Sequence, residues 1–215
     1  MGVISDIQVN EAIILLEQMH PEAACALDHD NLFQLVVAVT LSAQTTDASV
    51  NKVTPALFAK YPTAEDLANA DVHDVENIIR TIGLYKNKAK NIVAMAQMLI
   101  SEFDGVVPDT LEELIELPGV GRKTANVVLA EGYGVPAIAV DTHVFRVANR
   151  IGITDEKDVA GTEQALMARL PEDKWIRAHH LLIFHGRKCC DARKPKCDSC
   201  LLSKLCIYYT KLANA

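Results

Sequence analysis

The chain lacks the long apolar runs of membrane proteins and the strict alternation of apolar and polar residues that is typical of β-strands. No stretch approaches the roughly 18 unbroken apolar residues of a membrane span, and the first residues have neither the basic start nor the apolar stretch of a signal peptide. Tandem repeats and low-complexity linkers are missing too. Half of the 215 residues are apolar, which is enough for a substantial core. We therefore expect a soluble, cytoplasmic protein of one large domain or two closely packed small ones.

The chain also has no overall excess of basic residues, which is the usual mark of proteins that bind nucleic acids through bulk charge. The net charge is −7 and the isoelectric point is about 5.5. Residues 187–204 differ, because they contain six basic residues and two acidic ones and so have a net charge of +4. The rest of the chain then has a net charge of −11. A phosphate backbone responds to the patch that it meets. A weaker basic cluster at Lys86, Lys88 and Lys90 is better interpreted as a solvated face.

Apolar residues recur at helical spacing almost everywhere, which predicts an all-α fold. Asp71 can cap a helix at Val72, and Thr110 with Glu113 forms a capping box. The pattern predicts helices over residues 7–19, 31–42, 49–60, 64–70, 72–81, 86–103, 111–117, 122–131, 142–151, 162–170 and 174–184.

Five of the six cysteines are crowded into residues 189–206, and Cys25 stands alone. They are interleaved with Lys, Arg and Asp, whereas cysteines that merely pack in a core stand singly among apolar residues. In a cytosolic chain this clustering indicates a metal site rather than disulfides. One spacing, Cys-x6-Cys-x2-Cys-x5-Cys, joins Cys190, Cys197, Cys200 and Cys206.

Four thiolates at this spacing can surround either a zinc ion or a cubane iron–sulfur cluster. Zinc sites usually combine two Cys-x2-Cys pairs, and only one such pair, Cys197 with Cys200, is present. This favours a [4Fe–4S] cluster. Cys189 offers an alternative first ligand, and we interpret it as a spare thiol.

Residues 117–123 read Leu-Pro-Gly-Val-Gly-Arg-Lys and join two predicted helices. A helix cannot continue through Pro118, and glycines permit positive φ and close backbone approach. The next helix then begins with outward N–H groups beside Arg122, an arrangement that suits an anion such as a DNA phosphate. The predicted contacts are at Gly119, Val120, Gly121 and Arg122.

Lys123 places a cation in the first turn of a helix, next to another cation. The positive end of the helix dipole and the adjacent Arg122 both favour the neutral amine of Lys123. The neutral amine is the form that performs Schiff-base chemistry. Phosphate contact or solvent exposure is the other interpretation, and the local sequence alone favours it. Asp141 opens a later amphipathic helix, where capping is its default role. His143 can equally contact phosphate or lie on the surface.

Several motifs together resemble those of the endonuclease III family of DNA glycosylases/AP lyases. They are Leu41-Ser-Ala-Gln-Thr-Thr-Asp47, Thr81-Ile-Gly-Leu-Tyr85, residues 117–128, Val140-Asp-Thr-His143 and the four-cysteine spacing. The resemblance covers almost the whole chain. It implies a helix-hairpin-helix glycosylase fold with a six-helix barrel over residues 25–135, the hairpin motif at about 110–131, and an iron–sulfur cluster domain made of residues 1–24 and 136–215.

The resemblance also implies a function in base excision repair. Lys123 matches the catalytic lysine and Asp141 the catalytic aspartate, which would stabilise the cationic sugar and help to keep the lysine unprotonated. Gln44 and Leu84 match residues that wedge into the duplex; without the resemblance they would be a surface polar residue and turn packing. The implied partner is double-stranded DNA with oxidised pyrimidines or abasic sites. The implied protein is a monomer, nucleoid-associated in a bacterium, with a structural [4Fe–4S] cluster and no dissociable cofactor.

Two rival interpretations remain. Adenine DNA glycosylases share the hairpin and the cysteine spacing, but they rely on a glutamate where this chain has Ala38, generally lack a lysine like Lys123, and carry an extra domain where only nine residues follow Cys206. The other rival is a noncatalytic DNA-binding module with a structural zinc.

Overall fold

The computed structural model describes residues 2–213, and all regular secondary structure in that range is helical. The predicted all-α fold is confirmed. The described part of the chain contains no helix that is long and apolar enough to cross a membrane. The chain divides into two compact units, Ala26–Val135 and the pair of segments Met1–Cys25 and Pro136–Ala215. The outer ends of the predicted domain ranges, residues 1 and 214–215, lie outside the described residues.

The continuous unit contains six helices of five or more residues and two single-turn helices among its described residues. They are α2 (Leu32–Leu41), α3 (Asp47–Val50), α4 (Thr54–Lys60), α5 (Ala64–Ala68), α6 (Val72–Ile79), α7 (Tyr85–Glu102), α8 (Leu111–Leu114) and α9 (Arg122–Tyr133), with α1 belonging to the other unit. Every residue of α2 after Leu32 is buried. A helix that is buried on all sides forms the centre of its domain.

The helix α9 packs closely on α2 because it carries Gly132. A Cβ added at Gly132 would lie 2.5 Å from Leu32 Cδ2 and 3.2 Å from Leu35 Cδ2. The neighbouring Tyr133 donates a hydrogen bond to the Val107 carbonyl. These contacts fix the position of α9, and therefore of the hairpin that precedes it.

The discontinuous unit combines the chain's first helix with its last ones. They are α1 (Asp6–Met19), α10 (Thr142–Ile151), α11 (Val159–Arg169), α12 (Trp175–Lys188) and α13 (Ile207–Ala213), with short 3₁₀ turns at Glu172–Lys174 and Cys197–Ser199. Ser5 and Gln8 form a capping box at the start of α1. Arg169 joins distant segments, because its guanidinium donates to the Ile153 carbonyl at 2.7 Å and to Asp6 Oδ1 at 2.7 Å.

One helix prediction was wrong, and one helix was not predicted. The predicted helix over residues 49–60 is two helices, α3 and α4, separated by a turn. Pro55 lies in the first turn of α4, where its missing N–H is tolerated. One helix through residues 49–60 would instead need that N–H to bond the Asn51 carbonyl, with which the proline ring would clash. The helix α13 was not predicted at all. The caps at Asp71 and Thr110 are confirmed.

Candidate functional site

The hairpin before α9 is held by close contacts within the continuous unit. Gly119 has φ +83°, and a Cβ added there would lie 2.9 Å from Asn91 Nδ2 and 3.1 Å from Thr40 Cγ2. Val120 donates its N–H to the Leu117 carbonyl at 3.0 Å, and its side chain is buried. Glycine is therefore required at position 119, both for its backbone conformation and for its lack of a side chain.

Beyond this buried turn the hairpin opens to solvent. Gly121 is the N-cap of α9, and a Cβ added there would meet no heavy atom of the described chain within 4 Å. Arg122 and Lys123 begin α9, and both side chains are exposed. The predicted phosphate contacts at Gly119, Gly121 and Arg122 thus lie together at one helix start. Val120 has a buried side chain, and its N–H is already bonded to the Leu117 carbonyl.

Gln44 and Leu84 lie at neighbouring turns of the same unit, which we name the Gln44 turn (residues 42–45) and the Leu84 turn (residues 82–85). Both residues have positive φ, 54° and 59°, a region that non-glycine residues rarely occupy. Leu84 is 56% exposed, and a Cβ added at Gly83 would lie 3.9 Å from the Gln44 carbonyl oxygen. The two predicted wedge residues are therefore close together and exposed.

Asp141 is the N-cap of α10 in the discontinuous unit. Its Oδ1 accepts hydrogen bonds from the backbone N–H groups of His143 and Val144, both at 2.8 Å. These two bonds fix the orientation of the half-buried carboxylate. The structure thus gives Asp141 its default capping role, which is compatible with a catalytic one.

His143 lies where α10 crosses α12. A Cβ added at Gly186 would lie 2.9 Å from His143 Cβ, so a glycine is needed at the crossing. Arg146 Nη2 lies 3.1 Å from His143 Nδ1 and donates to the Gly186 carbonyl at 3.0 Å. Because arginine only donates, Nδ1 must accept, and the ring hydrogen of neutral His143 lies on Nε2. Sequence reasoning missed Arg146.

All five C-terminal cysteines line one pocket of the discontinuous unit, together with His185 and Tyr208. Arg150 shapes this pocket, because its guanidinium donates to the carbonyls of Asp191 at 2.7 Å and Ala192 at 2.8 Å. It also lies 4.4 Å from the centre of the Tyr208 ring. Arg150 comes from a helix some forty residues earlier, so no spacing within the cysteine segment could have identified it.

The donor set fits a thiophilic metal centre. Burial raises the pKa of the Cys200 thiol to about 12 and raises those of Cys197 and Cys206 as well. Thiolates in such a place need nearby positive charge, which a bound metal centre provides. Among the described residues, the coordinating atoms of His185, Cys189 and Cys200 lie within 4.8 Å of one another. This group includes Cys189 and, of the four predicted ligands, Cys200 alone, while the other three line the same pocket.

Two buried histidines adjoin this pocket. His20 Nε2 lies 3.1 Å from His185 Nδ1, and His185 Nε2 lies 3.7 Å from Cys200 Sγ. Burial, with a smaller contribution from His20, lowers the pKa of His185 to about 4. The two rings connect the segment after α1 to the cysteine pocket.

Comparison with known proteins gives consistent matches. Residues 37–172 match the family described as HhH-GPD superfamily base excision DNA repair protein. Endonuclease III of Bacillus subtilis (strain 168) is 50% identical over 200 residues, covering 93% of this chain and 91% of the relative. Endonuclease III of Escherichia coli (strain K12) is 44% identical over 202 residues, covering 94% and 96%.

Solved structures agree with these matches. A trapped endonuclease III–DNA covalent intermediate has a TM-score of 0.93 and 47% identity, covering 98% of this chain and 100% of the other. A thermostable thymine-DNA glycosylase has a TM-score of 0.84 and 26% identity, covering 94% and 96%. The predicted helix-hairpin-helix glycosylase fold and the predicted enzyme class, a DNA glycosylase and AP lyase, are confirmed. The chain belongs to the endonuclease III family, within the HhH-GPD superfamily of base excision DNA repair proteins.

Proposed function

We propose that this protein removes oxidised pyrimidines such as thymine glycol from double-stranded DNA and then cuts the strand 3′ to the abasic site through a Schiff base on Lys123. The observation that carries the proposal is the exposed Lys123 at the start of α9, directly after the hairpin. This site occurs in a chain that is 47% identical to an endonuclease III trapped as a covalent intermediate with DNA.

The hairpin and the start of α9 bind the phosphate backbone. Backbone N–H groups at Gly119 and Gly121 and the Arg122 side chain suit phosphate without reading sequence. His143, with its ring hydrogen on Nε2, can donate to a second phosphate. The acidic net charge of −7 makes these local contacts more important than long-range attraction.

The damaged nucleotide leaves the stack before the chemistry begins. Gln44 and Leu84 occupy the space that it vacates. Their exposure at adjacent turns supports this role, because a wedge has to project from the protein surface to enter a duplex.

Lys123 then acts as the nucleophile. Its neutral amine donates an electron pair to C1′ while the N-glycosidic bond breaks, and the electrons of that bond leave with the base, which takes up a proton. The nitrogen then loses a proton, and its electron pair forms the C1′=N bond of the Schiff base as the C1′–O4′ bond breaks. O4′ leaves with the electrons of that bond and takes up a proton, which opens the sugar ring. A proton then leaves C2′, the C3′–O bond breaks with the phosphate as leaving group, and water releases the lysine.

Asp141 supports these steps with its negative charge. In this proposal the carboxylate stabilises the positive charge that develops on the sugar, and it helps to keep the lysine unprotonated by acting as a base. The two N–H groups of His143 and Val144 hold Oδ1, so the carboxylate needs no reorientation during the reaction.

Cys190, Cys197, Cys200 and Cys206 hold a [4Fe–4S] cluster in this proposal. When bound, the cluster cross-links the loop of residues 187–204, and its contribution is structural. The loop then presents its +4 charge to a phosphate backbone. Cys189 is not a ligand, and its Sγ already lies 3.7 Å from the Lys196 carbonyl. We further propose that the protein acts as a monomer on chromosomal DNA.

Borohydride reduction of the Schiff base tests the proposal. The wild-type protein should form a covalent adduct with duplex DNA that carries thymine glycol or an abasic site. Lys123→Gln should lower the adduct yield by on the order of 10³-fold or more, because the nucleophile is lost. Lys90→Gln, a matched change at an exposed lysine, should leave the yield unchanged. An adduct that persists in Lys123→Gln at the wild-type yield would show that another group is the nucleophile.

A further inference from the structure

Lys88 differs from the two lysines beside it on α7. Lys86 and Lys90 are exposed, whereas Lys88 is only 5% exposed. Its Nζ lies 2.6 Å from Thr45 Oγ1, and no ion pair to Lys88 occurs among residues 2–213. The interpretation of all three lysines as one solvated face was therefore wrong for Lys88, which is a buried cation with a hydroxyl partner.

The Lys88–Thr45 hydrogen bond connects the Gln44 turn to the Leu84 turn. Thr45 follows Gln44 directly, and Thr45 N donates to the Ser42 carbonyl at 3.0 Å, which closes the first turn. On the other side, Lys88 N donates to the Leu84 carbonyl at 3.0 Å. The same lysine thus holds Leu84 through its backbone and the Gln44 turn through its side chain.

Three features at this place reduce stability instead of adding to it. Gln44 and Leu84 have left-handed backbone conformations, which cost free energy in non-glycine residues. Lys88 loses solvation with no acidic partner, and this burial lowers its pKa. Unfavourable features that coincide at one point indicate selection for function.

We propose that Lys88 is a positioning residue that joins the Gln44 turn and the Leu84 turn into one rigid wedge, so that both side chains enter the duplex together. This inference rests on the proposed roles of Gln44 and Leu84 in expelling the damaged nucleotide. Lys88 itself touches neither the substrate sugar nor the base. It preorganises the wedge, so that less conformational entropy is lost when DNA binds.

Two other roles for Lys88 make different predictions. If Lys88 only stabilised the fold, its removal would lower the melting temperature. Replacement of a buried charge by an apolar group of similar length is often neutral or stabilising, so a wedge role predicts an unchanged or higher melting temperature. If Lys88 contacted phosphate, its removal would weaken binding to every DNA alike.

Lys88→Met keeps the aliphatic length and removes the ammonium. The substrates are thymine glycol in a fully paired duplex and thymine glycol in an unpaired bubble, where little unpairing energy is needed. The single-turnover rate on the paired duplex should fall about tenfold or more, since small misplacements of a positioned group have effects of this size or larger. The rate on the bubble should stay within about twofold of wild type.

Three further variants serve as controls. Lys86→Met and Lys90→Met remove the same charge from the exposed face of α7 and should leave the ratio of duplex to bubble rates unchanged. Thr45→Val removes the hydroxyl and should reproduce the Lys88→Met ratio. The double variant Thr45→Val with Lys88→Met should be no worse than either single one, because both changes break the same hydrogen bond.

The outcomes separate this inference from the proposed function. A lower melting temperature for Lys88→Met, or an equal loss of rate on duplex and bubble, would overturn the wedge role while the wild-type activity stands. A wild-type protein that forms no borohydride adduct with either substrate would instead overturn the proposed function. A selective loss on the paired duplex with an intact melting temperature supports the inference.

Discussion

In the unit of residues 26–135, the hairpin, the Gln44 turn and the Leu84 turn are each built from a short consecutive stretch of chain. In the other unit, the cysteine pocket depends on residues far apart in sequence. Arg150 donates to the carbonyls of Asp191 and Ala192, and His20 meets His185 across 165 positions. Each site of the first group is therefore recognisable in a short stretch of sequence, although tertiary contacts hold it in place, whereas the residues that form the second are brought together only by the completed fold.

The largest expected effect tests the dependence of the cysteine pocket on its ligands. Cys190→Ser should remove most of the visible absorption of the purified protein and lower its melting temperature strongly, because metal binding of this kind is also folding free energy. Cys189→Ser should leave the visible absorption and the melting temperature unchanged. Absorption spectra and thermal melts of the two variants provide the measurement. A colourless wild-type protein would indicate zinc, and bleaching by Cys189→Ser alone would move the first ligand to Cys189.

The second effect separates two roles that one residue combines. Asp141→Asn keeps an amide oxygen that can accept from the N–H groups of His143 and Val144, and asparagine caps helices as well as aspartate does. The melting temperature should therefore change little. The single-turnover rate of base removal should fall about 10²-fold, because the negative charge and the proton acceptor are lost. Capping alone would be the role of Asp141 if the rate stayed at the wild-type level.

The smallest expected effect is a change in unfolding free energy. It tests whether the close contacts of Gly119 constrain the conformation of the hairpin. Gly119→Ala places a Cβ against Asn91 at φ +83° and should cost roughly 1–3 kcal/mol of unfolding free energy. Gly121→Ala, at φ −99° with open space around it, should cost much less. Denaturant titrations compare the two variants. Equal losses would mean that the close approach of Gly119 to α7 does not constrain the hairpin.

The same contrast explains what could be predicted from the sequence. Helical periodicity and caps such as Asp71 and Thr110 are local, and they gave most of the fold. The split between α3 and α4 was missed because Pro55 was treated as tolerable early in one helix, although in a helix over residues 49–60 it lies beyond the first turn. The helix α13 was missed because it directly follows Cys206, and that part of the sequence was interpreted only as a metal-binding segment.

The site residues divide in the same way. Lys123 could be predicted as a site residue because a cation in the first turn of a helix opposes the helix dipole, and the family resemblance gave that conflict a meaning. The contacts of Arg150, Arg146 and Lys88 could not be predicted, because a partly buried arginine or a buried lysine has the same sequence pattern as a solvated one. Only the tertiary contacts of these cations distinguish them.

The division of one unit into two sequence segments has a consequence for biosynthesis. The helix α1 leaves the ribosome well before α12, which packs on it and begins only at Trp175. At about 5–20 residues per second, this interval lasts on the order of ten seconds. During that time residues 26–135 can fold as a continuous unit. The apolar face of α1 stays exposed until α12 has been synthesised. A nascent chain that is halted before residue 175 is therefore expected to display α1 as a binding site for chaperones.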